Sequence, residues 1–147
     1  MDTIRGSGSA AMSVDVEDWF QVENLKPAIR RDSWDSQERR VERNTMRILE
    51  ILSEHQAKAT FFVLGWVAER HPGLIRRIAE QGHEVASHGY GHDLLYTLSQ
   101  TEFRADVDRC KKILEDVAGQ PVLGYRAPSF SITDWAVDIL QEMGFEY

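Results

Sequence analysis

Three short groups of polar residues hold the side chains of this sequence that could do chemistry. They are three carboxylates, two histidines and one guanidinium, namely Asp15, Glu17, Asp18, His88, His92 and Arg126. The two histidines stand four residues apart, so a helical turn or a tight loop can bring both imidazoles to one side. Two neutral imidazoles and one carboxylate make a good ligand set for a borderline divalent ion such as zinc.

A divalent ion held in this way would serve hydrolysis. With one coordination position open to water, the ion lowers the pKa of that water and polarises a carbonyl oxygen. Histidines at this spacing also occur by chance on protein surfaces, so the pair alone does not define a site. The histidine pair is a stronger indication of a site because acids end one predicted strand and an arginine ends another. Together the three groups predict a metal-dependent hydrolase.

The elements that must position these groups alternate between strand and helix. Strands are predicted over residues 12–16, 58–64, 84–87 and 121–125. Helices are predicted around residues 44–52, 66–81, 99–117 and 135–143, with a break at His71-Pro72-Gly73 and a capping box at Ser99 and Glu102. Such alternation favours an α/β fold with a parallel sheet or barrel, in which catalytic groups lie at the carboxyl ends of strands.

The composition is that of one globular domain. The chain has 147 residues, of which 42% are hydrophobic and 28% charged. A net charge of −7 argues against nucleic-acid binding, because phosphate contacts need clustered Lys and Arg. No apolar run reaches the ~20 residues of a membrane span. The chain has a single cysteine, Cys110, and residues 1–11 contain no apolar signal-peptide segment, which together predict a cytoplasmic protein. Residues 1–11 are expected to be a flexible N-terminal segment.

Four motifs in a fixed order carry a family resemblance. They are Ser13-Val14-Asp15, residues 59–63, residues 82–88 followed by His92, and Tyr125-Arg126-Ala127-Pro128. In this order they resemble the polysaccharide deacetylase (NodB-homology, carbohydrate esterase family 4) family. The resemblance runs from about residue 12 to residue 147. The Asp-Val-Glu-Asp-Trp-Phe segment at residues 15–20 is most similar to the branch associated with bacterial exopolysaccharide and exosortase systems.

The resemblance implies a partial distorted (β/α) barrel, with about four to five parallel strands in this chain, and a bound divalent metal, with zinc favoured. The implied activity is removal of N-acetyl groups from an amino-sugar polysaccharide by a metal-bound water. By position, Asp15 would be the general base, Arg126 would hold it, and the backbone N–H of Ser129 would bind the oxyanion. His88 and His92 would be metal ligands. Substrate contacts are assigned to three further residues, Trp19, Tyr90 and Pro128.

Two departures from the family pattern shape these expectations. Val16 stands where the family commonly has a second Asp, so the acidic ligand is either Glu17, which shares a strand face with Asp15, or Asp18. Glu17 is the preferred acidic ligand, and Asp18 remains an alternative. The chain also stops at Tyr147, before the later family motifs that include a general-acid histidine. Residues 12–147 are therefore expected to be the N-terminal part of a domain, inactive or poorly stable without its C-terminal part.

Three other interpretations remain. A related C–N amidohydrolase, allantoinase-like, would share the metal site but act on a small molecule. A saccharide-binding fragment would hold sugar without turnover. A purely structural protein would have no metal, and its acids, histidines and arginine would have no reason to converge. A long open groove favours a polymer, and a closed pocket favours a small molecule.

Overall fold

A parallel sheet of three strands organises residues 10–147, the part of the chain that the computed structural model describes. The strands are β1 (Ser13–Val16), β2 (Thr60–Val63) and β3 (Glu84–Ser87), paired in the order β1-β2-β3. Asp15 pairs with Phe62, and Phe62 with Ala86, so these three side chains share one face of the sheet. Residues 1–9 of the predicted flexible segment 1–11 lie outside the described residues.

Helices fill the connections between the strands. Their bounds are α1 (Val41–Glu54), α2 (Gly65–Arg70), α3 (Pro72–Glu80), α4 (Gln100–Ala118) and α5 (Asp134–Glu142). The first helix connects β1 to β2, and the second and third connect β2 to β3. This alternation confirms the predicted α/β class. Short 3₁₀ turns fill the rest of the loops, at Trp19–Gln21, Glu23–Leu25, Arg31–Ser36, Leu95–Thr97 and Pro128–Phe130. Within residues 10–147, no helix is long and apolar enough to cross a membrane.

The helix boundaries follow local chemistry that the sequence predicts. The break between α2 and α3 falls at His71, and Pro72 occupies the first position of α3, where a missing N–H costs nothing. Helix α4 begins at a capping box, in which the N–H of Glu102 donates to Ser99 Oγ at 3.3 Å and the N–H of Ser99 donates to Glu102 Oε2 at 2.8 Å. It ends at Gly119, whose φ of 66° is the left-handed conformation typical of helix termini.

The hydrophobic core lies between one face of the sheet and the helices. Phe61, Val63 and Val85 point to this face and are fully buried. The helices supply apolar side chains to the same cluster, among them Leu49, Leu52, Leu74, Ile75, Ile78, Phe103, Val107 and Leu114. Burial of such side chains stabilises a fold by roughly 1.5–3 kcal/mol each. This core holds the strand ends that carry the polar groups.

The predicted fourth strand at residues 121–125 is reduced to an isolated bridge between Tyr125 and Ser87, so the described chain has three strands and not four to five. The reason lies in helix α4. Its Glu115 Oε1 accepts the Val122 N–H at 3.1 Å, and its Lys111 donates to the Val122 carbonyl. The one N–H of Val122 is thereby used, and in the described chain the segment bonds to β3 only at Ser87, whose N–H donates to the Gly124 carbonyl and whose carbonyl accepts the Arg126 N–H. The bridge that remains still places Arg126 beside the end of β3.

An apolar cavity borders the last residues of the chain. It measures about 860 Å³ and is lined by Phe62, Phe130, Ile132, Val137, Leu140 and Phe145, among others. The backbone at the chain end runs beside the bridge segment, with the Glu146 N–H donating to the Leu123 carbonyl at 2.8 Å. This cavity adjoins the polar groups, since it shares Arg126, Ala127 and Phe130 with the site described next.

Candidate active site

Glu17, His88 and His92 form a cluster suited to a metal ion. Each offers one ligand atom, and these atoms lie within 4.8 Å of one another. Glu17 follows β1 directly, His88 follows β3 directly, and His92 comes after the Gly89-Tyr90-Gly91 turn. The sheet therefore brings together the carboxyl ends of two strands, as parallel α/β topology requires. The histidines are buried, and the Glu17 side chain is 21% exposed.

The ring of His88 is oriented by the backbone of Arg126. His88 Nδ1 lies 2.8 Å from the Arg126 carbonyl oxygen. A carbonyl oxygen can only accept, so Nδ1 carries the hydrogen and Nε2 is left with a free lone pair. Burial lowers the pKa of His88, which favours the neutral imidazole. A neutral ring with an oriented lone pair is the form that binds a metal.

His92 reaches the cluster through an unusual backbone. Its φ of 57° lies in the left-handed region, which is rare for a residue with a side chain and recurs at functional sites. Burial, together with the charge of neighbouring His88, lowers the pKa of His92 to about 4. His92 Nε2 lies 3.0 Å from Glu17 Oε2, but the two atoms are not aligned as a hydrogen bond. His92 Nδ1 and Glu17 Oε2 are both buried without a hydrogen-bond partner among the described residues.

Glu17 and Asp18 have separate roles in the structure. Burial, then the charge of Asp15, raises the pKa of Glu17 to about 7, as expected for a carboxylate that lacks a counter-charge. Asp18 lies outside the cluster, and its carboxylate accepts backbone N–H groups from Trp19, Arg40 and Val41 at 2.9, 2.8 and 3.1 Å. The structure thus places Glu17 with the histidines and Asp18 at the start of α1. The unsatisfied atoms and neutral rings fit a divalent cation.

Asp15 and Arg126 form an ion pair beside this cluster. Arg126 Nη1 lies 2.6 Å from Asp15 Oδ1, and Nη2 donates to Ser13 Oγ at 2.8 Å. The guanidinium carbon also lies 4.0 Å from the centre of the Phe62 ring. Three contacts from one sheet face therefore fix the guanidinium, which in turn orients the Asp15 carboxylate.

The cluster and the ion pair line a cavity of about 210 Å³. Ser129 contributes to its lining, and both Ser129 and Phe130 have left-handed φ angles, of 49° and 54°. Four lining residues were not anticipated from the sequence: Val22, Glu23, Asn24 and Phe130. The first three come from the polar connection after β1, where no motif singles them out. Phe130, 80% exposed, stands directly after the Arg-Ala-Pro-Ser motif, and that position is the one signal that could have identified it.

The three residues assigned to substrate do not line this cavity. The Trp19 indole N–H donates to the Glu38 carbonyl at 3.0 Å. The Tyr90 hydroxyl donates to Glu69 Oε2 at 2.7 Å, and Pro128 is buried. Their side chains are engaged in packing and hydrogen bonding elsewhere.

Comparison with known proteins adds a family match. Residues 32–147 match the family model described as polysaccharide deacetylase. A peptidoglycan-N-acetylglucosamine deacetylase of Bacillus cereus is 33% identical over 115 residues, which cover 68% of this chain and 42% of the relative. A chitooligosaccharide deacetylase of Sinorhizobium fredii is 32% identical over 96 residues, which cover 65% of this chain and 44% of the relative.

Solved structures show the same similarity. The crystal structure of a CE4 family pseudoenzyme from Bacillus anthracis superposes with a TM-score of 0.73 at 26% identity, and the match covers 92% of this chain and 40% of that one. The chain thus spans less than half the length of these relatives. The match to the fold covers 92% of this chain.

Proposed function

The chain belongs to the polysaccharide deacetylase family, and we propose that it provides the metal-binding part of an enzyme that removes N-acetyl groups from an amino-sugar polysaccharide. One observation carries the proposal: Glu17, His88 and His92 meet within 4.8 Å beside the Asp15–Arg126 ion pair. The names of two relatives, which specify peptidoglycan N-acetylglucosamine and chitooligosaccharide, support a substrate of N-acetylated amino sugars.

Three residues would hold a divalent metal, for which zinc is favoured. These are Glu17 through its carboxylate, His88 through Nε2, and His92 through a ring nitrogen. When bound, the ion would polarise the acetyl carbonyl and lower the pKa of an adjacent water. With two neutral imidazoles and one carboxylate, the site would keep half of the positive charge of a divalent ion, because only Glu17 brings a negative one.

Asp15 would act as the general base. Arg126 holds Oδ1, which leaves Oδ2 to take a proton from the attacking water. The water oxygen then bonds to the acetyl carbon, and the carbonyl π electrons move to the oxygen. The backbone N–H of Ser129, at the cavity lining, would donate to that developing oxyanion. Collapse breaks the C–N bond, and the products are acetate and the free amine of the sugar.

The departing nitrogen must gain a proton before it leaves, and this proton balances the one that Asp15 removes from the water. We assign both cavity histidines as metal ligands, so neither is proposed as the general acid. A second candidate function, saccharide binding without turnover, is favoured by one observation: a relative from B. anthracis is a pseudoenzyme. Both functions require the same cavity.

Metal content of the purified chain, measured by mass spectrometry, tests the site. We expect about one divalent ion per wild-type chain and its loss in His88→Ala and His92→Ala. His55→Ala is the matched control, because His55 is exposed at the end of α1, and it should retain the ion. A folded wild-type chain without metal, when zinc is supplied, would contradict the proposal.

Acetate release from N-acetylglucosamine oligomers separates the two functions. Asp15→Asn should keep the metal and lose acetate release, since it removes the base but no ligand. When the chain is extended through the later family motifs, metal binding and oligomer binding without acetate release by the wild type would instead favour the saccharide-binding function.

A further inference from the structure

A single carboxylate of helix α4 contacts the loop between the two histidines. We define residues 88–92 as the histidine loop. Asp106 Oδ2 accepts the Tyr90 N–H at 2.9 Å. Tyr90 is the residue midway between His88 and His92. Asp106 is half-buried and lies outside the cavity of Asp15 and the ligands.

The other backbone groups of the loop are used by neighbouring elements. The carbonyls of Gly89 and Tyr90 each accept, at 3.0 Å, an N–H from the first residues of α2, Gly65 and Trp66. The Gly89 N–H lies 3.3 Å from Ser87 Oγ. The Gly89 and Tyr90 carbonyls are thus held from α2, and the Tyr90 amide from α4. Without the Asp106 carboxylate, the Tyr90 amide would lose this charged acceptor.

The loop has little room on either side. A Cβ on Gly89 would lie 3.0 Å from Asp106 Oδ2, and a Cβ on Gly91 would fall on the guanidinium of Arg31. Arg31 in turn pairs with Asp93 at 2.8 Å, one residue after the loop. Burial, and then the charge of Asp93, raises the pKa of Asp106, while the Tyr90 N–H and the Arg31 guanidinium oppose this rise. The loop is therefore packed between the Asp106 carboxylate and the Arg31 guanidinium.

The backbone of His92 has a strained conformation that the rest of the loop must maintain. His92 has a φ of 57°, which is strained for a residue with a side chain, and such a conformation persists only when its surroundings hold it. His88 is fixed by Arg126 at one end of the loop, but His92 has no hydrogen-bond partner at Nδ1 among the described residues. The position of His92 consequently depends on the backbone that leads to it.

From these contacts we infer that Asp106 is a positioning residue, which holds the histidine loop in the shape that brings His92 to Glu17. The inference deepens the proposed function and rests on it for the presence of a metal. The contact between Asp106 and the histidine loop does not depend on the proposed function. Asp106 touches neither the cavity nor a ligand side chain. Its effect on metal binding would pass through the Tyr90 amide.

The test uses the full chain with Asp106→Asn and Asp106→Ala. Asn keeps one acceptor oxygen but loses the charge, and Ala loses both. The matched control is Asp108→Asn on the same helix, where the side chain is 49% exposed and pairs with Lys112 at 2.7 Å. One readout is metal-free: hydrogen exchange of the Tyr90 amide, compared with those of Val85 and Ala86 in β3. The other is zinc affinity, from competition with a chromophoric chelator.

We expect faster exchange at Tyr90, with little change in β3, in both Asp106 variants. The zinc Kd should rise by about 10–100-fold, more for Ala than for Asn, as is typical for groups that orient ligands from outside the metal's contact sphere. Asp108→Asn should match the wild type in both readouts. A lower melting temperature with unchanged exchange and zinc Kd would overturn the inference. If the wild type bound no zinc, the proposed function would fail, and the exchange readout alone would decide whether Asp106 positions the loop.

Discussion

Nδ1 of His88 donates to the carbonyl oxygen of Arg126 at 2.8 Å, across 38 positions of sequence. The guanidinium of the same arginine holds Asp15 Oδ1 at 2.6 Å. One residue thus sets the orientation of a proposed ligand with its backbone and of the proposed base with its side chain. Arg126 gains this position from the bridge between Tyr125 and Ser87, which is the last contact of β3 before His88. The ligand and the base are consequently positioned relative to each other.

Arg126→Ala should separate these two functions. The substitution keeps the backbone carbonyl, so His88 stays oriented and the zinc Kd should change by less than about threefold. It removes the partner of Asp15, and acetate release should fall by at least about 100-fold if Asp15 is the base. Zinc competition and acetate assays measure the two effects.

Arg104→Lys is the control for Arg126→Ala, since Arg104 is exposed and pairs with Glu142 on α5, away from the cavity. It should leave both quantities unchanged. A large loss of zinc affinity in Arg126→Ala would mean that the arginine side chain, and not its carbonyl, orients His88.

Much of this site could be predicted from the sequence because its parts follow strands. Acids after β1, a histidine pair after β3 and an arginine after the next apolar segment must meet at one edge of a parallel sheet. The capping box at Ser99 and the break at His71 were equally local signals and were confirmed. Such features depend on neighbours within a few residues, so the sequence states them directly.

The parts that could not be predicted depend on contacts between distant residues. The bridge segment fails to become a strand because Lys111 and Glu115 take the backbone groups of Val122, and no period-two pattern records this. The Asp18 carboxylate accepts hydrogen bonds from the backbone N–H groups of Arg40 and Val41, more than twenty residues away. The sequence shows an acid at that position, but only the fold shows which groups the acid contacts.

Asp18→Ala should destabilise the chain without removing metal. The carboxylate is buried and accepts backbone N–H groups that include two at the start of α1, so its loss leaves buried donors unpaired. We expect a loss of about 2–4 kcal/mol in the free energy of unfolding, measured by urea denaturation. Zinc content of the folded fraction should stay near the wild-type value.

Glu17→Ala is the reciprocal variant and should lose zinc with a smaller effect on unfolding. Loss of zinc in folded Asp18→Ala, with retention in Glu17→Ala, would reverse the assignment of the acidic ligand.

Glu17→Gln should stabilise the metal-free chain at alkaline pH. The pKa of Glu17 is raised to about 7 in the fold from an ordinary value of 4.5, so the folded state holds a proton that the unfolded state has released. The stability associated with that proton is full below pH 4.5 and is lost as pH rises through 7. With a discount for the solvent that still reaches the carboxylate, the gain at pH 8 should be on the order of 1–2 kcal/mol.

Urea denaturation at pH 4.5 and pH 8 in a chelator measures this gain. The variant and the wild type should be equally stable at the lower pH and differ at the higher one. Equal stability at both values would show that Glu17 titrates normally. Saturating zinc should reverse the order at pH 8, because the wild type alone then gains the binding free energy.

Zinc affinity should itself depend on pH with a defined sign. A ligand must be deprotonated to bind, and Glu17, with a pKa of about 7, is mostly protonated at pH 6. Binding below pH 7 therefore releases a proton, and affinity should rise by about tenfold per pH unit up to 7 and then level off. His92, with a pKa of about 4, is already neutral over this range and should add no slope. Chelator competition between pH 5.5 and 8.5 gives the profile. In Glu17→Gln, binding should be weaker and nearly independent of pH, whereas a wild-type profile that is flat from pH 5.5 to 7 would show that Glu17 binds zinc without losing a proton.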